Sequence, residues 1–175
     1  MALLWKRLSE MTITSKLILA KNAVAKFIDS SSVTHTMTAN ELATMTTSGR
    51  GTSLITTKTV TAAETGKTFF LNLAGGFVTT LPAPAEGLKY KFVVGTAPTT
   101  AYTVVTDSSA NIIHGSISSP EVIALVSCVA ASDTISFVAN LAVVGDYCEV
   151  ESDGTNWYVS GMTFDQAGMT TSQVS

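Results

Sequence analysis

Asp146-Tyr-Cys-Glu-Val-Glu-Ser-Asp-Gly-Thr-Asn-Trp-Tyr-Val-Ser160 has the pattern of a β-hairpin, and its reading decides the fold class. Cys148 and Val150 alternate with Glu149 and Glu151, so one face is apolar and the other ionic. Asp153-Gly154 supplies the turn, because glycine tolerates the positive φ that a tight hairpin requires. Trp157 and Tyr158 then fall on opposite faces of the returning strand. One is expected to pack inward, and the other to be available to a subunit or a carbohydrate.

The same grammar extends upstream. Strand-like runs are expected at 57–61, 68–73, 77–81, 89–94, 102–106, 111–113, 122–126 and 134–139. Glu-Thr-Gly, Ala-Gly-Gly, Pro-Ala-Pro and Asp-Ser-Ser separate them as turn signals. Short strands at this spacing indicate a mainly β chain, an antiparallel β-sandwich or jelly roll. Before Gly49–Gly51 the pattern differs. Leu4, Leu8 and Met11 have helical spacing, as do Leu17, Ala20, Val24, Phe27 and Ile28, although Ile13, Ser15, Leu17 and Leu19 also alternate as a strand would. Thr38 with Glu41 matches a capping box. These pieces are too short to be stable alone. The expected organisation is therefore a short, partly helical N-terminal attachment arm over 1–51, a β-domain over 52–162 and a polar C-terminal tail over 163–175. Leu4, Trp5, Leu8 and Phe27 are the expected assembly contacts of the arm.

Composition narrows the function classes. Of the 175 residues, 46% are hydrophobic and 13% charged, against about 25% charged in an average soluble domain. The mean hydropathy is +0.35. Such a chain leaves apolar surface exposed unless a partner covers it. A net charge of −3, with no cluster among the ten basic residues, argues against nucleic acid as a partner. No apolar run reaches the ~20 residues a membrane-spanning helix needs. Met1 to Met11 has too short an apolar stretch, and no small-residue cleavage site, for a secretory signal. Cys128 and Cys148 read as buried small hydrophobes.

Motifs for chemistry are incomplete. Gly66-Lys67-Thr68 mimics the end of a phosphate-binding loop, yet Thr61 stands where the first glycine belongs and a strand follows instead of a helix. Glu149, Glu151 and Asp153 imitate half a calcium loop, but Ser160 occupies the position of the bidentate glutamate. His35 and His114 lack neighbouring ligands or catalytic partners in sequence. No G-x-S-x-G nucleophile motif is present. The expectation is a non-enzymatic protein without cofactor or metal.

Thr59-Val-Thr-Ala-Ala-Glu-Thr-Gly-Lys-Thr-Phe-Phe-Leu-Asn72, Gly76-Phe-Val-Thr-Thr-Leu-Pro-Ala-Pro84, Tyr90-Lys-Phe-Val-Val-Gly95, Asn111-Ile-Ile113 and the closing hairpin through Gly161 occur in that order. Together they resemble a module of tailed-bacteriophage virion proteins, over roughly Thr57 to Gly161. Such modules occur in head decoration (cement) proteins and in domains of tail fibres and spikes. The resemblance implies a β-sandwich, often trimeric, made in the host bacterial cytoplasm and located on the capsid surface. Its expected partners are the major capsid protein and further copies of itself, with neither nucleic acid nor membrane. A tail fibre or spike-associated module contacting receptor glycans is the alternative. The segment before Gly51 carries no part of this resemblance.

Overall fold

A computed structural model describes residues 24–28, 34–38, 50–120, 125–127 and 131–173. The chain forms two compact units, Met1–Ser48 and Gly49–Ser175. In the first, β1 (Val24–Ile28) pairs antiparallel with β2 (Thr34–Thr38), and Phe27 stands opposite His35. Val24, Phe27 and Ile28 thus belong to a strand, where helical spacing was expected. Val, Phe and Ile at these positions suit a pleated strand as well as one helical face, and pairing with a Thr-rich partner selects the strand. Leu4, Trp5, Leu8 and Glu41 lie outside the described residues.

The second unit contains two sheets. One has seven strands in the order β10-β9-β13-β12-β7-β5-β3, and the other five in the order β14-β11-β8-β6-β4. In chain order these are β3 (Gly51–Leu54), β4 (Lys58–Thr59), β5 (Thr68–Leu71), β6 (Val78–Thr80), β7 (Glu86–Val94), β8 (Tyr102–Val105) and β9 (Ile113–Ser118). There follow β10 (Leu125–Ser127), β11 (Thr134–Phe137), β12 (Tyr147–Asp153), β13 (Trp157–Met162) and β14 (Met169–Ser172). From β3 to β8 the chain crosses from one sheet to the other at every strand. Consecutive members of each sheet are consequently parallel: β3 with β5 and β5 with β7, β4 with β6 and β6 with β8. The chain climbs as three stacked rungs, each giving one strand to each sheet.

The chain is mainly β, as expected, but the expectation of purely antiparallel pairing is corrected here: both sheets are mixed. The hairpin β12–β13 is antiparallel, as its sequence indicates, yet β13 pairs parallel with β9, while β8, β11 and β14 are antiparallel neighbours. The segment 163–175, expected as a polar tail, supplies β14. Met169 is fully buried and pairs with Phe137, so this stretch closes an edge of the five-stranded sheet. Its polarity misled because only one side chain of the strand is buried.

One hydrophobic cluster draws on both sheets. Phe69, Tyr90, Phe92 and Trp157 come from the larger, Tyr102 and Phe137 from the smaller. Phe69 stacks on Phe92 with centroids 5.5 Å apart, and Tyr90 contacts Trp157 at 5.9 Å. The buried tyrosines keep their hydroxyls satisfied: Tyr90 donates to the Thr61 carbonyl at 3.0 Å and Tyr102 to the Thr96 carbonyl at 2.8 Å. Cys148, with Val150, is part of the same cluster. Among the described residues no helix is long and apolar enough to cross a membrane.

Gly115 is where close packing demands glycine. It stands opposite Val159 in the parallel β9–β13 pair with φ of +130°, and a Cβ there would collide with the Val159 carbonyl oxygen. Gly115→Ala is expected to lower stability by about 1–3 kcal/mol, through backbone strain plus displacement of β13. Urea denaturation of the two proteins measures the difference.

Candidate functional site

Strand direction sorts the surface of the second unit into two unlike ends. The C-terminal ends of β3, β5, β7, β9 and β13 and the N-terminal ends of β6, β8, β12 and β14 lie together by register. At this end stand Ile55 (65% exposed), Val144 (64%) and Phe164 (66%), with Leu73, Val78, Leu141, Val143 and Met162 also exposed. Phe70 and Tyr158 are the remaining large apolar or aromatic residues exposed among those described, and both lie on the outer face of the larger sheet. At the opposite end are Arg50, Glu64, Lys67, Glu86, Asp107 and Asp153.

The apolar end is held by a buried carboxylate. Asp146 is 4% exposed and begins the turn into β12. Its Oδ2 accepts the Val143 N–H at 2.9 Å and the Thr163 hydroxyl at 3.0 Å, while Oδ1 accepts the Phe164 N–H at 2.9 Å. A charged acceptor meeting two backbone donors and a hydroxyl forms a strong local network. It fixes the 138–146 loop and the segment after β13 in one arrangement. Val143, Val144 and Phe164 project from those two segments, so this carboxylate orders an apolar surface that would otherwise collapse or vary.

The ionic end has its own order. Lys89 Nζ lies 2.6 Å from Glu149 and 3.6 Å from Glu151. The ammonium therefore occupies the space between the two glutamates singled out as half a calcium loop. Its pKa is raised, chiefly by the hydrogen bond and charge of Glu149. Gly66-Lys67-Thr68 is a turn: the Gly66 N–H donates to the Lys89 carbonyl at 2.7 Å, and Lys67 Nζ lies 3.5 Å from Glu64. Burial pushes the Glu64 carboxyl up, but hydrogen bonds from the Thr61 N–H, Lys58 and the Thr61 hydroxyl outweigh it, and the pKa is lowered.

At the hairpin tip Gly154 has φ of +97°, as the Asp-Gly turn requires. Asp153 Oδ1 accepts the Thr155 and Asn156 N–H groups at 2.8 and 2.7 Å, and Oδ2 accepts the Tyr158 hydroxyl at 2.9 Å. These bonds, that from Asn156 first, hold the Asp153 carboxyl below its usual range. The Tyr158 phenol is raised by its hydrogen bond to that carboxylate. Tyr158 is the exposed member of the aromatic pair, and Trp157 is fully buried. Among the described residues, the Trp157 indole nitrogen is the buried side-chain polar atom without a hydrogen-bond partner. His114 lies beside Tyr158, with ring centroids 6.1 Å apart.

The residues expected from sequence as assembly contacts belong to the first 48 residues. Phe27 is in β1 of the first unit, and Leu4, Trp5 and Leu8 lie outside the described residues. The run Leu141-Ala-Val-Val144, between a strand and an Asp, was the available signal for the apolar end and passed as a loop. Among the described residues no group of three or more His, Cys, Asp or Glu is placed to hold a metal ion. No protein-family model matches this chain, and no curated protein or solved structure matches it either.

Asp146→Ala should leave the Val143 and Phe164 N–H groups without their acceptor, with the Thr163 hydroxyl turning to the Asp165 carbonyl 3.0 Å away, and cost about 3 kcal/mol. Hydrogen exchange should quicken first at residues 141–146 and 162–165, with the β7 and β12 amides still protected. For the hairpin tip, raising Tyr158 above its ordinary pKa of 10.0 means the phenol stays protonated to higher pH. The stability from its bond is present below that ordinary value and lost as pH rises through the raised one. Burial also raises Tyr90 and Tyr102, so ultraviolet titration should show three late-ionising tyrosines, of which one returns toward the ordinary range in Asp153→Asn.

Proposed function

We propose that this chain is a non-enzymatic structural protein of a tailed-phage virion, a decoration protein that attaches to the outer capsid surface and stabilises the head. In this reading the two sheets are the halves of a β-sandwich that stands on its apolar end. The observation that carries the proposal is the gathering of eight exposed apolar side chains at one end of the domain, with Leu141, Val143, Val144 and Phe164 on segments fixed by Asp146. A random scatter of exposed hydrophobics would need no explanation, whereas their gathering at one end, on ordered segments, marks a surface covered by another protein. The ordered resemblance between Thr57 and Gly161, and the low charged content, support the same conclusion.

The mechanism is mechanical. Covering apolar surface contributes about 25 cal/mol per Å2, and repetition over a symmetric shell multiplies modest single-site affinities. A homotrimer on the major capsid protein, with the first unit as a second anchor, is the arrangement we favour. Exposed Tyr158 favours one further reading, a tail fibre or spike-associated module that contacts glycans. Copy number separates the two: hundreds per particle belong to decoration, about a dozen to a tail position.

Val144→Asp combined with Phe164→Asp places two carboxylates on the patch without touching the core. The double variant should keep its β circular dichroism and lose binding to undecorated capsids, because burying unpaired charge is strongly unfavourable. Undiminished binding by the folded variant would remove the patch from the attachment mechanism.

A further inference from the structure

Across the domain from the apolar end, an open depression of about 500 Å3 is lined by Glu86, Gly87, Glu151, Ser152, Asp153 and Tyr158. Its origin is an irregularity in pairing. Along β12 and β7, Glu151 faces Lys89 while Asp153 faces Glu86, so the register shifts by one residue between them. A bulge of this kind twists the edge and parts the side chains.

We propose that this depression is a binding site for a neutral carbohydrate, with the ring of Tyr158 stacking against the C–H face of a sugar and the carboxylates of Glu86 and Glu151 accepting its hydroxyl protons. The inference does not rest on the decoration reading and applies wherever the chain is mounted.

Three features support it. The Tyr158 ring is 47% exposed yet anchored at its hydroxyl by Asp153 and flanked by His114, tilted at 34°. An aromatic platform held in place before binding loses little rotamer freedom when a ligand arrives. The lining is made of acceptors, and sugar hydroxyls are donors that carboxylates bind well. Finally, the carboxylates differ in how far their acceptor sites are already filled. Asp153 already accepts three donors, and Lys89 stands between Glu149 and Glu151, which leaves Glu86 without an ion pair among the described residues. Anionic ligands are disfavoured by the carboxylates themselves.

The test titrates the full chain with neutral hexose oligomers (maltohexaose, cellohexaose and a galactan hexamer), with a polyuronate and with hexalysine, followed by calorimetry and by the Tyr158 ring resonances. At least one neutral oligomer should bind with a Kd of about 1 mM or tighter. Tyr158→Ala should weaken it about tenfold or more in a protein that keeps its β circular dichroism. Tyr158→Phe, which keeps the ring and gives up the bond to Asp153, should retain most of the affinity, and Glu86→Gln should weaken it by a few-fold. Binding of hexalysine alone would identify an acidic site for cations and overturn the proposal. So would the absence of binding by every neutral oligomer, or neutral binding indifferent to Tyr158→Ala.

Discussion

The carboxylate of Asp146 is the constraint on which the surface organisation depends. A charge taken out of water is tolerated only when its acceptor sites are filled, and here donors from Val143, Thr163 and Phe164 fill them. Those donors come from two segments far apart in sequence. Satisfying one buried group therefore ties the loop after β11 to the segment after β13, and both carry apolar side chains outward. An ordered apolar surface loses less conformational entropy on association than a mobile one. The same bond network that completes the fold thus also fixes the apolar side chains at this end.

The rung topology explains why the two ends differ so sharply. Since β3, β5 and β7 run the same way, their C-terminal ends share one rim and their N-terminal ends the other. Ile55 and Leu73 follow β3 and β5 on the first rim, while Arg50, Lys67 and Glu86 open strands on the second. Among the described residues of the second unit, ionic groups gather where the hairpin tip, the Lys89–Glu149 pair and the Tyr158 depression lie. An object with one apolar and one ionic end has a preferred way to stand on another protein surface. Under the decoration reading the ionic end faces outward, where a sugar-binding depression would meet the host.

Legibility in the sequence followed the range of the interactions. The closing hairpin was readable because its turn and alternation are local: Cys148 and Val150 are buried and Gly154 adopts the positive φ. The long alternation of β7 was equally plain, with Leu88, Tyr90, Phe92 and Val94 inside. Two strands of the second unit left no pattern to read. β3 and β14 each bury a single side chain, Leu54 and Met169, so no period exists to find. Parallel pairing was hidden too, since it depends on which distant segment a strand meets: Thr68 stands between Gly51 and Lys91, at unequal separations along the chain. Val24, Phe27 and Ile28 fit helical and extended readings alike, and only the partner strand distinguishes them. Of the candidate sites, exposed Tyr158 was foreseeable from its alternation with Trp157. The role of Asp146 was not, because Thr163 and Phe164 are brought to it by tertiary structure and Val143 alone is a near neighbour in sequence.

Met162 gives the central claim a built-in reporter, since its thioether stands at the apolar end and is 47% exposed, whereas Met169 is buried. Peroxide oxidation resolved by peptide mass spectrometry should modify Met162 readily in the dispersed protein and far more slowly in assembled particles. Oxidation of Met162 at the same rate in both states would contradict the account, because it would mean that the apolar end stays open to solvent when the protein is at work.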